Sequence, residues 1–336
     1  MLMIDKEGLQ TTVQDLGRNG FQKYGVIVSG VMDSYAHRLA NILVGNEETK
    51  ATIEITLMGP HITFLEDCLF ALTGANLSPV IDGVPIKMWR PIFARKGCKL
   101  IFGKPVTGCR TYMAVAGGVA VPKVMGSQST YIRASIGGFN GRALQRGDVI
   151  PVNDAPQQVK GFINKLSKEI NDRSFMQVEW TLKSEAIPSY QKDETVRVIE
   201  GRQAHLFSKK SKDDFLNQVF QITSDSDRMG YRLKGTELRL EVPKELLSEA
   251  VSFGSIQVPP DGQPIILMAD RQTTGGYPKI GQVAFIDLPK VSQLKPGETI
   301  RFEKISLEES QKSMIEQRKL IDQLTQSISL KFKEGT

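Results

Sequence analysis

Ser255-Ile256-Gln257-Val258-Pro259-Pro260-Asp261-Gly262-Gln263-Pro264-Ile265-Ile266-Leu267-Met268-Ala269-Asp270-Arg271-Gln272-Thr273-Thr274-Gly275-Gly276-Tyr277-Pro278 sets two short apolar runs against loops rich in polar residues and glycine. The runs 255–258 and 265–269 have the length and composition of strands, so this part of the chain reads as β structure. The loops are too polar to serve a core, and loops on a rigid scaffold are where ligands are met. Gly275-Gly276 can take positive φ and let a ligand approach the backbone amides. Asp270, Arg271, Thr273 and Thr274 are the candidate catalytic residues. Arg271 can grip a carboxylate or phosphate through its planar fork, and the threonine hydroxyls beside two glycines resemble a cradle for developing negative charge. Gln257, Asp261, Gln263, Gln272, Gly275, Gly276 and Tyr277 are the candidate substrate contacts of the same segment. An Asp-Arg pair that only braces a barrel is the competing reading of Asp270 and Arg271.

The β rhythm extends outward through most of the chain, with strand-like runs at 61–65, 69–73, 99–102 and 111–115. A glycine turn followed by a half-buried strand occurs three times, around Gly97, Gly147 and Gly297. A second echo joins 18–25 to 228–235: arginine, glycine, an aromatic ring and glycine stand at the same offsets, each with an aspartate upstream. It reads as a duplication and adds Asp15, Arg18, Asp227, Arg228 and Tyr231 to the candidate substrate contacts. Glu54 is a charge in an apolar strand, facing solvent or a pocket. Thr73-Gly74-Ala75-Asn76 ends a strand in a way compatible with close ligand approach.

Helical signals are few. Asp33 or Ser34 can cap a helix with an apolar stripe of Ala36, Leu39, Ala40 and Leu43 that ends at Gly45, which leaves His37, Arg38 and Asn41 on an expected solvated face. Residues 153–194 break the strand rhythm and carry Phe162, Ile163, Leu166 and Ile170 at helical spacing, a short helix in a charged linker. The tail from 307 onward, with Met314, Leu320, Ile321, Leu324 and Ile328, reads as an amphipathic helix packed at the end of the chain or on a partner.

A length of 336 residues allows two substantial cores, and 40% hydrophobic with 24% charged residues is ordinary globular composition. No apolar run is long enough for a membrane-spanning helix, and charge appears by Asp5 before any signal-peptide core, so no membrane association and a cytoplasmic location are expected. Cys68, Cys98 and Cys109 are odd in number and unclustered, and His37, His61 and His205 are scattered, so neither disulfides nor a bound metal is expected. The net charge of +6 is dispersed, without the basic stripe and aromatic interleaving of a nucleic-acid surface. No phosphate loop, dinucleotide fingerprint or defensible Ser-His-Asp or Cys-His set is present in the sequence.

The run QVPPDGQPIILMADRQTTGGYPKIGQV (257–283), with TTVQDLGRNGFQKYGVIVSGVMD (11–33), RLANILVGN (38–46), IEITLMGP (53–60), ALTGANL (71–77) and AVAGGV (114–119), resembles the biotin-dependent carboxyltransferase-like family. That family includes C-type subunits of 5-oxoprolinase, Kip antagonists, proteins called allophanate hydrolase subunit 2, and half of the carboxyltransferase domain of urea carboxylase. The resemblance implies a mainly β fold of two tandem cyclophilin-like β-barrel domains, 1–152 and 195–303, joined by a linker at 153–194 and followed by a helical tail at 304–336. It also implies one component of an ATP-dependent 5-oxoprolinase that converts 5-oxo-L-proline to L-glutamate. Mg-ATP would be bound on a surface shared with a partner. The implied partners are the sister cyclophilin-like B-type protein of 5-oxoprolinase, which is Kip inhibitor-like, and the lactam-processing A-type protein. Two other activities of the family stay open: relief of a histidine-kinase inhibitor, and one carboxyltransferase half of a urea carboxylase-like system. The Met-Lys-Met attachment motif is absent from the sequence, so no covalent biotin is expected on this chain.

Overall fold

The computed structural model describes residues 1–334, with side chains to residue 333. The fold is mainly β, with few helices, and the chain forms two compact units. Unit 1 holds Met1–Arg18, Asp33–Ser189 and the chain from Lys319; unit 2 holds Asn19–Met32 and Tyr190–Arg318. Residues 19–32 thus group with the later half of the chain. Residues 153–189 group with the earlier half, because helix Gln157–Glu169 buries Val159, Phe162 and Leu166 and strand Phe175–Gln177 pairs with Pro91–Ala94.

Unit 1 is built from two six-stranded antiparallel sheets. One runs in the order Val149–Ile150, Leu2–Lys6, His61–Phe64, Lys99–Ile101, Val80–Ile81, Val84–Pro85; the other in the order Phe175–Gln177, Pro91–Ala94, Cys68–Asn76, Thr107–Val115, Thr52–Thr56, Gln10–Gln14. The strands expected at 61–65, 69–73, 99–102 and 111–115 are all present, two of them extended. Alternating apolar residues such as Leu2, Ile4, Ile53, Ile55, Phe64, Phe70 and Leu100 form one core, with the Phe64 and Phe70 rings 5.1 Å apart. Burial of such side chains, at about 1.5–3 kcal/mol each, drives the assembly.

Unit 2 is a closed barrel of seven strands: Asp193–Glu200, Lys279–Val283, Ser255–Gln257, Ile265–Leu267, Gly230–Lys234, Phe220–Ile222 and Thr299–Lys304. The last strand returns parallel to the first, from Asp193 opposite Thr299 to Val198 opposite Lys304, which removes the free edges. Its core stacks Phe215 on Phe302 at 4.5 Å.

The three repeated turns share one geometry. Gly97, Gly147 and Gly297 have φ of 91°, 89° and 91°, and each turn closes with an amide-to-carbonyl bond: Cys98 to Arg95, Asp148 to Gln145 and Glu298 to Lys295. Positive φ at the third position is where a turn demands glycine. The other echo is not a structural repeat. Residues 18–25 pass into the 3₁₀ turn Gln22–Tyr24, whereas 230–234 form a barrel strand. Identical side chains at equal offsets do not fix a backbone when their surroundings differ.

Helix Ser34–Leu43 is capped by Asp33, whose carboxylate accepts the Ala36 amide at 2.9 Å. The polar side expected to face solvent is buried instead. The helix lies against strands Cys68–Asn76 and Thr107–Val115, while residues 46–52 cover its other side. Asn41 donates to the Lys50 carbonyl at 2.7 Å, His37 Nδ1 meets Thr52 Oγ1 at 2.9 Å, and Arg38 pairs with Glu48 at 2.5 Å. Burial pushes the His37 pKa down to about 3, so its ring is neutral at ordinary pH. Glu54, the other charge left open by the sequence, is buried and accepts the Tyr112 hydroxyl at 2.8 Å.

The tail forms helix Leu307–Glu334, with Ile321, Leu324, Ile328 and Phe332 buried and Met314 exposed. Phe332 lies 5.3 Å from the ring of Phe162. Gly45, at φ 72°, sits beside the same cluster: a Cβ there would stand 2.3 Å from Val159 Cγ2 and 3.1 Å from Phe332. Gly45→Ala combines a left-handed backbone with overpacking, so a loss of about 2 kcal/mol or more is expected, read as a lowered melting temperature. Unaltered melting would mean that the helix end repacks freely.

Candidate functional site

The loop 268–278 leaves the barrel at the end of strand Ile265–Leu267 and returns in strand Lys279–Val283. Its base is held by Met268 N donating to the Met229 carbonyl at 2.9 Å and Asp270 N to the Arg228 carbonyl at 2.7 Å. Its outer part pairs Thr274–Gly275 with Glu249–Ala250 in a two-stranded ribbon. Neither Gly275 nor Gly276 has positive φ, contrary to expectation. Close approach accounts for them. A Cβ on Gly275 would lie 3.0 Å from Gln257 Oε1, and one on Gly276 would lie 3.3 Å from the Leu246 carbonyl oxygen.

Asp270 and Arg271 part company in space. The Asp270 carboxylate accepts Arg228 Nε at 3.0 Å, Arg228 Nη2 at 3.1 Å and the Ser29 hydroxyl at 2.7 Å. It is a buried brace, so the catalytic role expected of it is not favoured by the geometry. Arg271 forms no ion pair among the described residues. Its guanidinium lies 5.9 Å from the Phe253 ring centroid and reaches the Val251 and Met268 carbonyls only at 3.4 Å. Burial pushes its pKa down to about 10, so it stays a cation at neutral pH. The hydroxyls of Thr273 and Thr274 and the amide of Gln272 have no hydrogen-bond partner among the described residues, and Tyr277 is partly exposed. One cation and two hydroxyls on one loop are the means to hold an anionic group.

The structure adds residues that the sequence reading missed. Lys279 is buried and donates to Glu249 at 2.7 Å; Glu249 also accepts Gln203 Nε2 at 2.7 Å and Arg202 at 3.4 Å. The hydrogen bond from Lys279 leads the effects that hold the Glu249 carboxyl below its ordinary range. Ser252 and Ser255 both donate to Gln282 Oε1, at 3.0 and 2.8 Å. Arg202, Glu249, Ser252, Ser255, Lys279 and Gln282 line a recess of about 310 Å³. Tyr277, Gly276 and Pro278 line a larger, mostly apolar cavity of about 660 Å³ with Phe207, Leu238 and Val258. A lysine in the apolar strand after Gly-Gly-Tyr-Pro was the available signal for the recess. Gln257 carries a buried Oε1 with no hydrogen-bond partner among the described residues.

The other sequence candidates serve the fold. Asp227 and Asp261 each accept the amide two residues on, at 2.7 and 3.0 Å, and Gln263 clasps the Gly235 backbone. Tyr231 is buried with its hydroxyl on the Ser292 and Leu294 carbonyls. Asp15 and Arg18 belong to unit 1, apart from the Arg271 loop in sequence and in unit. Arg18 donates to the Val124 and Ser129 carbonyls. Burial works to raise the Asp15 carboxyl, but hydrogen bonds from the Ser127 and Ser129 hydroxyls and the Gln128 and Gly17 amides outweigh it and hold it below its ordinary value. A depressed carboxyl contributes stability above its unfolded pKa, near 3.9, that is lost as pH falls through the lower folded value. Melting curves should therefore converge for wild type and Asp15→Asn as pH drops below about 4, and separate above it. A constant gap across that range would remove the ionised carboxylate from the account.

Among the described residues, no three His, Cys, Asp or Glu side chains converge as a metal site, and no helix is long and apolar enough to cross a membrane. The family model of the carboxyltransferase domain, subdomain A and B, matches residues 24–304. The chain is 37% identical to the C subunit of 5-oxoprolinase from Escherichia coli strain K12, over 96% of this chain and 97% of that protein. For the C subunit of 5-oxoprolinase from Haemophilus influenzae the figures are 38%, 96% and 97%. The crystal structure of Kluyveromyces lactis urea carboxylase is similar with a TM-score of 0.86 at 31% identity, over 96% of this chain but only 29% of that one.

Proposed function

The chain belongs to the family of the carboxyltransferase domain, subdomain A and B, and from that premise we propose that it is the C subunit of an ATP-dependent 5-oxoprolinase. The observation that carries this reading is reciprocal coverage: the two C subunits are matched almost end to end, whereas the urea carboxylase is matched over less than a third of its length. In this role the chain works in the cytoplasm with the sister B-type protein and the lactam-processing A-type protein, and the complex opens 5-oxo-L-proline to L-glutamate as ATP is hydrolysed. The Arg271 loop supports the reading, because its cation and the Thr273 and Thr274 hydroxyls fit one anionic group, either the carboxylate of the lactam acid or a phosphoryl group. Glu249 and Lys279 form an ion pair beside that loop.

The test is reconstitution with the companion proteins, following glutamate and ADP together. Omission of this chain is expected to abolish coupled turnover. Undiminished 5-oxoproline consumption without it would refute the assignment, and carboxylation of a urea-like amide in the presence of a biotin carrier would transfer the chain to the carboxylase branch.

A further inference from the structure

Unit 1 carries a cleft of about 490 Å³ in which three cations, Lys87, Arg90 and Arg173, face a single carboxylate residue, Glu179. None of the three forms an ion pair among the described residues. Arg90 is anchored at one corner, where Nη1 donates to the Val178 and Glu179 carbonyls at 3.0 and 3.3 Å. Its Nε is buried without an acceptor, and its Nη2 has none among the described residues. Those two nitrogens form the edge that this protein uses elsewhere to hold a carboxylate. Arg197 grips Asp287 through Nε and Nη2 at 2.8 Å each, and Arg228 grips Asp270 through the same pair. At Arg90 no carboxylate among the described residues takes that edge: Nε lies buried within the protein at a cost folded proteins seldom retain, and Nη2 is the donor left for a ligand.

The surrounding backbone is fixed. Trp89 stands at φ 61°, a conformation costly for an aromatic residue, and is held by its amide on the Leu72 carbonyl and its own carbonyl under the Thr181 hydroxyl. The Lys87 amide donates to Gln177 Oε1 at 2.6 Å. Arg173 Nε and Nη2 reach the Ile170 and Glu169 carbonyls at the end of helix Gln157–Glu169, which leaves Nη1 for a ligand.

The geometry points to a site for a phosphate-bearing small molecule, with Arg90 Nη2 and the Lys87 and Arg173 cations on its phosphoryl oxygens. A carboxylate has one planar edge and satisfies one guanidinium, whereas a phosphoryl group presents oxygens in several directions and carries more charge, as three cations against one acid require. Phe175 and Val178 offer apolar surface to the organic part of such an ester.

The chain has two tryptophans, Trp89 and Trp180, adjacent in sequence to Arg90 and Glu179. Full-length protein is titrated with inorganic phosphate and with pyrophosphate, following tryptophan fluorescence at ionic strength matched with chloride, and with ADP by calorimetry. Saturable binding of pyrophosphate is expected, tighter than that of phosphate. ADP binding tighter still would identify a nucleotide as the source of the phosphates, and equal binding would identify the diphosphate alone. Arg90→Lys keeps the charge but loses the fork, and is expected to weaken pyrophosphate binding tenfold or more; Lys87→Met, at an exposed position, should weaken it severalfold without affecting melting. A signal that follows ionic strength alone, or equal affinity in wild type and Lys87→Met, overturns the proposal even if Arg90→Lys fails to fold. No lactam or companion protein is present in the titration, so a negative result here leaves the 5-oxoprolinase reading standing.

Discussion

Asp270→Ala is expected to destabilise the protein by about 3–5 kcal/mol, because it leaves the buried Arg228 guanidinium without its carboxylate. The side chains are only 5% and 10% exposed, so water is poorly placed to replace the lost acceptor. The Ser29 hydroxyl loses its acceptor in the same change, which ties residues 19–32 to the later half of unit 2. For a unit of this size the loss corresponds to a fall in melting temperature on the order of 10 °C. Ser29→Ala should cost about 1 kcal/mol, since one neutral donor is removed and the ion pair survives. Unchanged melting of Asp270→Ala together with lost turnover would return Asp270 to the chemistry.

Arg271→Lys is expected to do the opposite: turnover of the reconstituted complex falls tenfold or more, ~1.4 kcal/mol of transition-state stabilisation, while melting changes little. Arg271 has no carboxylate to lose, and its two carbonyl contacts are long, so it adds little to the fold. What the change removes is the planar pair of donors. The burial that brings the arginine to about 10 acts equally on an ammonium that starts lower, so the lysine variant should also lose charge nearer to neutrality and show a steeper alkaline fall in rate than wild type. Kinetics and melting must be measured on the same preparations. Intact kinetics with a lowered melting temperature would make Arg271 a structural residue and remove this loop from the site.

The strands and turns of both units were legible in the sequence because their signals are local. Alternation along 61–64 and 111–115 decides which side chains can share a face, and Gly97, Gly147 and Gly297 announce turns that a side chain would strain. The long run 257–283 was enough to place the chain in its family and to single out one loop. Neighbours in sequence were poor guides to partners. Asp270 precedes Arg271, yet its carboxylate binds Arg228, 42 positions away, and Ser29, 241 away. Asp15 and Asp270 both read as site acids in the sequence, but hydroxyls and amides surround one and a guanidinium the other. His37 and Asn41 read as a solvated face because helical periodicity registers one apolar stripe; it says nothing of the segment 46–52 that covers the other side. Backbone propensity and side-chain alternation act over a few residues and are therefore written in order along the chain. Which charges are paired, which donors lack acceptors among the described residues, as at Arg90, and which cation is left for a ligand, as at Arg271, depend on segments that meet only when the chain has folded, and the tertiary structure alone decided them.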